Sequence, residues 1–208
     1  MRRGDRRASK RACAPFAVAL LLALATLGGP IGAAALGAGP SARASLAPTP
    51  CAGEHAMPNG RNSRVLDDAA LCLMNEIRIA HSLPELHFNA KLARIAAGQA
   101  GDMVRGHYFS DQSLSGQSPL SRVLASGYAV HASSIHLRTA QNIGYGTGPN
   151  ATPAGIVDAW MLSPPHRKII LTGAYHDVGV GVARSVPSGL SSRWLGGTYA
   201  VEFGTRGN

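Results

Sequence analysis

Most of the chain lacks any concentration of positive charge, although the formal net charge is +9. Seven of the 20 basic residues and one of the 11 acidic residues lie within residues 1–44. The other 164 residues therefore carry 13 basic and 10 acidic side chains, a net charge of only +3. Beyond Arg11 the longest basic run is the pair Arg167 and Lys168. Because phosphate binding along a nucleic acid requires a basic patch or stripe, we expect no nucleic-acid partner.

Cysteine and aromatic residues are also scarce. The chain has three cysteines, none in Cys-x-x-Cys spacing, which argues against a zinc–thiolate site. Aromatic residues make up only 5% of the sequence, and nothing in the composition explains that low content. Hydrophobic residues make up 45%, too many for a disordered chain, and 208 residues suit one domain rather than a large multidomain enzyme.

Residues 1–44 have the three parts of a secretory signal peptide. The first eleven residues are rich in arginine, and residues 12–27 form an apolar run without charge. Ala42-Arg43-Ala44 then supplies the small residues of a cleavage site, which predicts removal of residues 1–44 and export. The alternative is an uncleaved anchor, since the uncharged stretch extends toward Leu36, although glycine and proline interrupt it at residues 28–30. A membrane partner follows only from that alternative.

Cleavage would leave Cys51 and Cys72 as the two cysteines, because Cys13 lies within the signal segment. In an oxidising compartment such a pair usually closes a disulfide. This disulfide would hold an extended N-terminal arm, residues 45–62, against the first helix and stabilise the fold by about 3 kcal/mol. Two free thiols and a metal-binding pair are the alternatives.

Apolar residues recur at helical spacing in four segments that carry recognisable start and stop signals. Asn89, Ser118 and Thr152 are predicted N-caps, and two of them precede a proline at the first helical position. Asp67 and Asp68 are expected in the first turn of the first helix, where the helix dipole favours acids. With caps and stops included, the predicted helices are residues 65–81, 89–106, 118–127 and 152–164.

Two later segments change to the period of two that is typical of strands. In residues 178–182 three valines alternate with Gly179 and Gly181, which predicts one branched, buried face and one face of bare backbone. Residues 194–203 alternate in the same way and place Tyr199 and Glu202 on opposite faces. Residues 141–146 are too rich in glycine to classify alone. Helices followed by antiparallel strands predict an α+β layered domain with one core.

Several short motifs follow one another in an order that is specific to a known family. They are Leu73-Met74-Asn75-Glu76-Ile77-Arg78, Leu83-Pro84-Glu85-Leu86, Tyr108-Phe109-Ser110, Asn142-Ile143-Gly144-Tyr145-Gly146, Trp160-Met161-Leu162-Ser163-Pro164-Pro165-His166-Arg167 and Val178-Gly179-Val180-Gly181-Val182. Together they resemble the bacterial CAP superfamily (cysteine-rich secretory proteins, antigen 5 and pathogenesis-related proteins), also described as SCP-like extracellular domains. The resemblance covers residues 65–204.

The resemblance implies a three-layer α-β-α sandwich with a central antiparallel sheet, formed here by residues 63–208. It also implies an open cavity, lined in many members by two histidines and two acidic residues that hold a divalent metal, often zinc. Family functions include lipid or sterol binding, cell-wall association and host interaction, and catalysis is claimed for some members. The positions of Cys51 and Cys72 are similar to those of a disulfide-bearing subgroup of secreted bacterial members.

Carried onto this chain, the four cavity positions are Asp111, Gln141, His166 and Asp177, and two of them depart from the family pattern. Asp111 stands where the family has a histidine, and Gln141 stands where a glutamate precedes Asn-Ile. A carboxylate in place of an imidazole moves a site built from Asp111, His166 and Asp177 away from zinc and toward calcium, magnesium or manganese. Gln141 also removes a candidate general base, because an amide does not titrate near neutrality.

Two further interpretations of these positions are open. The four side chains would also make sense as a hydrogen-bonded polar cluster in the cavity wall, with no metal. His107 and His176 are neighbours in sequence that would substitute as ligands. Residues adjacent in a strand point to opposite faces, however, so His176 and Asp177 are not expected to share one.

The sequence therefore predicts a secreted, monomeric CAP-domain protein, extracellular or associated with the cell envelope. Its cavity is expected to accept a small or extended ligand, such as a lipid, a peptide or a cell-wall component, and to require no cofactor. The alternative is a divalent-metal-assisted hydrolase of peptide or cell-wall polymer, with His166 and Asp177 as metal ligands and water as nucleophile.

Overall fold

The computed structural model describes residues 50–129, 137–187 and 195–206. The predicted signal segment, residues 1–44, lies outside the described residues, as do residues 45–49 of the predicted arm. Among the helices of the described part, none combines the length and the hydropathy that a bilayer span requires.

Five α-helices form within the described residues, at segments that supply caps and apolar spacing. They are α1 (Ser63–Ala80), α2 (Ala90–Arg105), α3 (Pro119–Ala125), α4 (Pro153–Leu162) and α5 (Pro164–Ile170). The side chains of Asn89, Ser118 and Thr152 accept backbone N–H bonds at the starts of α2, α3 and α4, which confirms the predicted caps. Because α1 begins at Ser63, Asp67 and Asp68 lie beyond its first turn, and that part of the prediction is wrong.

The predicted end of the fourth helix at Pro164 and Pro165 is confirmed, since α4 stops at Leu162. A further helix, which the sequence analysis does not predict, begins directly after it. Ser163 has extended backbone (φ −95°, ψ 114°) that ends α4, and Pro164 then takes the first position of α5. Proline is favoured there because an N–H at that position has no partner within the helix, and the ring fixes φ at a helical value. The additional helix carries His166, one of the predicted cavity residues.

Four strands form one sheet in the described part of the chain. They are β1 (His87–Phe88), β2 (Arg138–Thr147), β3 (Asp177–Arg184) and β4 (Gly196–Thr205), in the spatial order β1-β3-β4-β2. The three long strands pair antiparallel, as predicted, whereas β1 pairs parallel to β3, so the sheet is mixed. The glycine-rich residues 141–146 form the middle of β2. Trp194, the predicted start of the last strand, lies outside the described residues.

Helices cover both faces of this sheet, which confirms the α-β-α sandwich. On one face α1, α4 and α5 contribute Met74, Trp160 and Ile170 to a core that includes Val180 and Phe203 of the sheet. On the other face, α2 packs three of its buried side chains against the sheet. The residues in that second cluster are Ala96, Ala100, Met103, Ile143 and Ala200.

Two glycines allow α2 to approach β3 closely. A Cβ atom on Gly179 would lie 1.9 Å from the backbone nitrogen of Ala93, and one on Gly181 would lie 2.1 Å from that of Ala97. No side chain fits in so small a space. The face of bare backbone that the alternation predicts is therefore the surface on which α2 lies.

The predicted disulfide between Cys51 and Cys72 is confirmed, with the two Cα atoms 5.7 Å apart. It joins the segment before α1 to the helix itself. Around Cys51 the chain turns rather than staying extended, since the Glu54 N–H donates to the Cys51 carbonyl at 3.0 Å.

Arg78 of α1 is fully buried and connects three parts of the domain. Its guanidinium faces backbone carbonyls rather than a carboxylate. The accepting carbonyls belong to Pro84 (2.8 Å), Ile170 (2.7 Å), Thr172 (3.0 Å) and Tyr175 (3.0 Å). Arg78 thereby ties the end of α1 to α5 and to the turn that leads into β3.

Candidate functional site

The four predicted cavity residues occupy different elements and take part in separate sets of contacts. Gln141 lies in β2, His166 in α5 and Asp177 at the start of β3. Asp111 is exposed and lies in the loop between α2 and α3. The structure connects Gln141 with the backbone of Asp111, whereas His166 and Asp177 each belong to another set.

Gln141 contacts a carboxyl group that the sequence analysis does not place in the site. Gln141 and Glu202 face each other across the β2–β4 pair, and Gln141 Nε2 donates to Glu202 Oε1 at 2.5 Å. Glu202 is fully buried, and Arg122 Nη2 lies 3.9 Å from the same oxygen. The sequence offers one signal for this role of Glu202, an acidic residue inside a hydrophobic strand pattern. That signal is equally typical of a strand position that faces solvent.

Burial raises the pKa of Glu202 to about 8. Loss of hydration disfavours the carboxylate more than Gln141 and Arg122 stabilise it, and the charge of Asp111 acts in the same direction as burial. Glu202 Oε2 and Gln141 Oε1 both lack a hydrogen-bond partner among the described residues. Burial thus favours the protonated, neutral form of the Glu202 carboxyl.

Arg122 connects this pair to the loop before α3. Its Nη1 donates to the Gln117 carbonyl at 2.9 Å, and its Nη2 donates to the Asp111 carbonyl at 2.8 Å. The bond to Asp111 uses the backbone oxygen rather than the exposed carboxylate. Gln141, Glu202 and Arg122 thus form a largely buried polar cluster that differs in membership from the predicted cluster of four.

Asp177 pairs with a tyrosine and an arginine. Its Oδ2 accepts a bond from the Tyr128 hydroxyl at 2.7 Å and lies 3.2 Å from both Nε and Nη2 of Arg206. The guanidinium of Arg206 also lies 4.9 Å from the centre of the Tyr128 ring. Burial and the Asp177 charge both raise the pKa of Tyr128, so the phenol stays a donor. These contacts hold the start of β3 against the end of β4.

His166 lies beside a cleft at the outer edge of β2. Its Nδ1 is 2.8 Å from Ser163 Oγ, and its backbone carbonyl accepts a bond from Asn142 Nδ2 at 3.2 Å. The cleft has a volume of about 220 Å³. The residues that line it are Phe109, Ile143, Gly144, Tyr145, Ile156, Ala159, Trp160, Ser163 and His166.

The placement of these donors does not fit a shared divalent ion. Among the described residues, one group of three His, Cys, Asp or Glu ligand atoms lies within 4.8 Å of one another: Cys51, Cys72 and Glu76. The disulfide uses both of those sulfurs. Asp111, His166 and Asp177 do not form such a group, and neither do the exposed substitutes, His107 and His176. Metal binding at the predicted positions stays a prediction that requires these side chains to rearrange.

The register of β2 determines which backbone groups face the cleft. The Gly148 N–H donates to the Leu195 carbonyl at 3.0 Å, one step beyond the Thr147–Gly196 pair, so even-numbered residues exchange hydrogen bonds with β4. Odd-numbered residues therefore direct their N–H and C=O groups away from β4, to an edge where the described residues supply no further strand. Trp160 Nε1 donates to the Ile143 carbonyl at 3.0 Å, in agreement with that direction.

An aromatic pair forms one wall of the cleft. The rings of Phe109 and Tyr145 meet edge to face with their centroids 4.9 Å apart. Phe109 is 45% exposed and Tyr145 is 43% exposed, whereas Trp160 on the opposite wall is 2% exposed. Large apolar side chains that are half exposed beside an open strand edge are typical of a contact surface.

Comparison with known proteins gives a family match and two bacterial relatives. The model of the cysteine-rich secretory protein family, CAP, matches residues 71–193. The "uncharacterized membrane protein YlbC" of Bacillus subtilis (strain 168) is 34% identical over 116 residues, which are 55% of this chain and 30% of YlbC. The "uncharacterized protein YkwD" of the same organism is 33% identical over 114 residues, 54% of this chain and 40% of YkwD. The match thus spans less than half of either relative.

A solved structure supports the fold. An extracellular protein containing an SCP domain from Bacillus anthracis str. Ames aligns with a TM-score of 0.52 and 23% identity. The alignment covers 68% of this chain and 40% of that protein. At that identity the likeness concerns the sandwich architecture alone.

Proposed function

Because the chain belongs to the cysteine-rich secretory protein (CAP) family, we propose that it is an exported binding module rather than an enzyme. Its ligand is an extended peptide segment that lies along the open edge of β2. The observation that carries this proposal is the cleft in which outward backbone groups of β2, the exposed rings of Phe109 and Tyr145, and His166 lie together.

An extended peptide satisfies both features of this cleft. A strand added to a sheet edge gains affinity from main-chain hydrogen bonds and specificity from pockets for alternate side chains. Ile143 offers only its N–H, because its carbonyl already accepts a bond from Trp160 Nε1. Tyr145 offers both its N–H and its C=O. The volume of about 220 Å³ is below that of typical small-molecule sites. It suits one or two side chains of a longer ligand.

The polar residues support binding over catalysis. A general base must reach the substrate directly or through one water. Asp177 is paired with Arg206, the Gln141 amide with Glu202, and the His166 ring with Ser163. These side chains are committed to separate structural contacts, so they do not converge on one point in the cleft.

Export is part of the proposal. The signal-peptide pattern of residues 1–44 supports it, and so does the Cys51–Cys72 disulfide, because disulfides persist in oxidising compartments. N-terminal sequencing of secreted protein should begin at Ser45. A first residue upstream of Leu27 would show instead that the apolar segment is retained as an anchor.

Selection from a phage-displayed library of short peptides tests the binding function. Peptides recovered on the exported chain should bind at least about tenfold more weakly to Tyr145→Ala and Phe109→Ala, since aromatic anchors dominate such contacts. Tyr145→Pro should weaken binding further than Tyr145→Ala, because it also removes the outward N–H at an edge position that tolerates proline. Phe88→Ala, which removes an exposed ring from β1 at the other edge of the sheet, is the control.

Two results would overturn this function. Peptides that bind the cleft variants as tightly as the unaltered chain would show that the cleft is not the site. Cleavage of a bound peptide that is lost in His166→Ala would favour the alternative of a hydrolase.

A further inference from the structure

A second cavity, of about 440 Å³, lies between α2 and the loop that leads into α3. It shares no lining residue with the cleft beside β2. Its walls carry four basic side chains and one acidic side chain. The basic residues are Lys91, Arg94, Arg105 and Arg122, and the acidic residue is Asp102.

Positive side chains outnumber negative ones among the residues that line this cavity. Arg122 also lies 3.9 Å from the buried carboxyl of Glu202. Asp102 accepts a bond from the Tyr108 hydroxyl at 2.6 Å and lies 3.9 Å from Arg105 Nη2. Within the described part of the chain, no carboxylate lies within 4.0 Å of Lys91 or Arg94. Four positive groups against one negative group leave an excess of three positive charges on a concave surface, where the electrostatic field is concentrated.

Part of this positive surface is held in a fixed orientation. Arg122 donates to the carbonyls of Gln117 and Asp111, and the Lys91 ammonium donates to the Gly127 carbonyl at 2.7 Å. A guanidinium or ammonium that is already oriented loses less conformational entropy when an anion arrives. Arg94 and Arg105, both exposed on α2, supply the forked donors that match phosphate oxygens.

Gly98, inside α2, is one of the residues that line the cavity. A Cβ atom on Gly98 would meet no atom within 4 Å, so packing does not require glycine at this position. Glycine inside a helix weakens the helix relative to alanine. Its presence here leaves open space beside the basic groups.

We propose that this cavity binds a phosphate group carried on a sugar or polyol. A phosphate monoester carries a charge near −2 at neutral pH, which the positive excess matches. The volume lies within the range of small-molecule sites. The hydroxyl and amide groups of Ser113, Ser115 and Gln117 line the same cavity and suit the neutral hydroxyls of such a ligand. The same chemistry occurs in free sugar phosphates and in polymers with phosphate in their backbone.

Titration calorimetry on the purified exported chain tests this site with three probes: glucose 6-phosphate, glucose, and a glycerol phosphate polymer. Glucose 6-phosphate should bind and glucose should not. The affinity for glucose 6-phosphate should fall when the salt concentration rises to about 0.5 M, because salt screens exposed charges. If the natural ligand is a polymer with phosphate in its backbone, the glycerol phosphate polymer should bind more tightly than glucose 6-phosphate. One polymer chain would then engage the cavities of several protein molecules at once.

Matched variants distinguish this cavity from general surface charge. Arg94→Gln and Gly98→Glu should each lower the affinity for glucose 6-phosphate at least about tenfold, the loss typical of one charge-assisted contact. Arg64→Gln makes the same change of charge at an exposed position of α1 and should leave the affinity unchanged. Tyr145→Ala should also leave it unchanged, so the two proposed sites are tested independently.

The proposal is overturned if glucose 6-phosphate binds no more tightly than glucose. It is equally overturned if Arg94→Gln and Arg64→Gln lower the affinity for the monomer or the polymer to the same extent, since binding would then reflect diffuse charge.

Discussion

Gln141 donates its side-chain amide to the carboxyl of Glu202 at 2.5 Å, on the face of the sheet that α2 covers. The resemblance to the family implies a glutamate at the position of Gln141. Here a glutamate would place a second carboxyl directly opposite Glu202 and would remove the amide that donates to Glu202 Oε1. The amide at position 141 is therefore explained by the buried acid on the next strand.

The buried carboxyl of Glu202 makes stability depend on pH. Its pKa is 4.5 in an unperturbed chain and about 8 in the fold. The folded state therefore holds a proton that the unfolded chain releases, so the free energy of unfolding should fall as pH rises from about 4.5 to about 8. Glu202→Gln, which keeps the shape without the charge, should reduce that slope in urea denaturation at several pH values.

A second buried acid and an exposed acid help to interpret this measurement. Burial also raises the pKa of Asp67, to about 7, so part of the slope should persist in Glu202→Gln. Glu85→Gln makes the same substitution at an exposed position of the chain and is the control. Equal slopes in Glu202→Gln and the unaltered chain would contradict the assignment of a proton to Glu202.

Alanine at Gly179 or Gly181 should destabilise the domain severely. Each new methyl group would lie about 2 Å from the backbone of α2, so the helix must move away from β3. We expect each substitution to cost more than about 3 kcal/mol in urea denaturation, the range of severe overpacking.

Gly98→Ala is the matched control for these substitutions. Its Cβ meets open space and the residue lies inside a helix, so stability should rise by about 0.5–1 kcal/mol. If all three alanine variants were equally stable, the close packing of α2 on β3 would be refuted.

Loss of the Arg78 guanidinium should leave four buried or partly buried carbonyls without a donor. Arg78→Met retains much of the apolar volume, and we expect it to cost about 3–5 kcal/mol, as for other disrupted buried polar networks. Arg78→Lys should be intermediate, because an ammonium reaches fewer of the carbonyls. Arg64→Met, at an exposed position of the same helix, should change the free energy of unfolding by less than about 0.5 kcal/mol.

Removal of the disulfide should lower stability mainly through the unfolded chain. Cys51 and Cys72 are separated by 21 residues, and a loop of that size corresponds to about 3 kcal/mol on the chain-entropy model. The double variant Cys51→Ser, Cys72→Ser should show this loss in urea denaturation without reductant. Adding reductant should lower the stability of the unaltered chain to the same level and leave the double variant unaffected.

Local signals in the sequence determined most of the elements. The caps Asn89, Ser118 and Thr152 act over one turn, and the alternation of valine and glycine in β3 depends only on the strand period, so neither needs distant contacts. Proline was ambiguous for the same reason. It is compatible with a helix end and with a helix start, and here both occur, because α4 ends at the extended backbone of Ser163 and α5 begins at Pro164.

Only the tertiary structure decided which polar groups meet. The sequence supplied Asp111, Gln141, His166 and Asp177, but the fold distributes them among separate contacts and brings Glu202 opposite Gln141. Whether a strand acid faces water or a helix depends on where α2 packs, and that position follows from the missing side chains of Gly179 and Gly181. The sequence thus determined the elements and the family, because those depend on local periodicity and motif order. Burial arises only when distant segments pack together. It is this packing that raises the pKa of Glu202 and that forms the cleft beside β2 and the cavity beside α2.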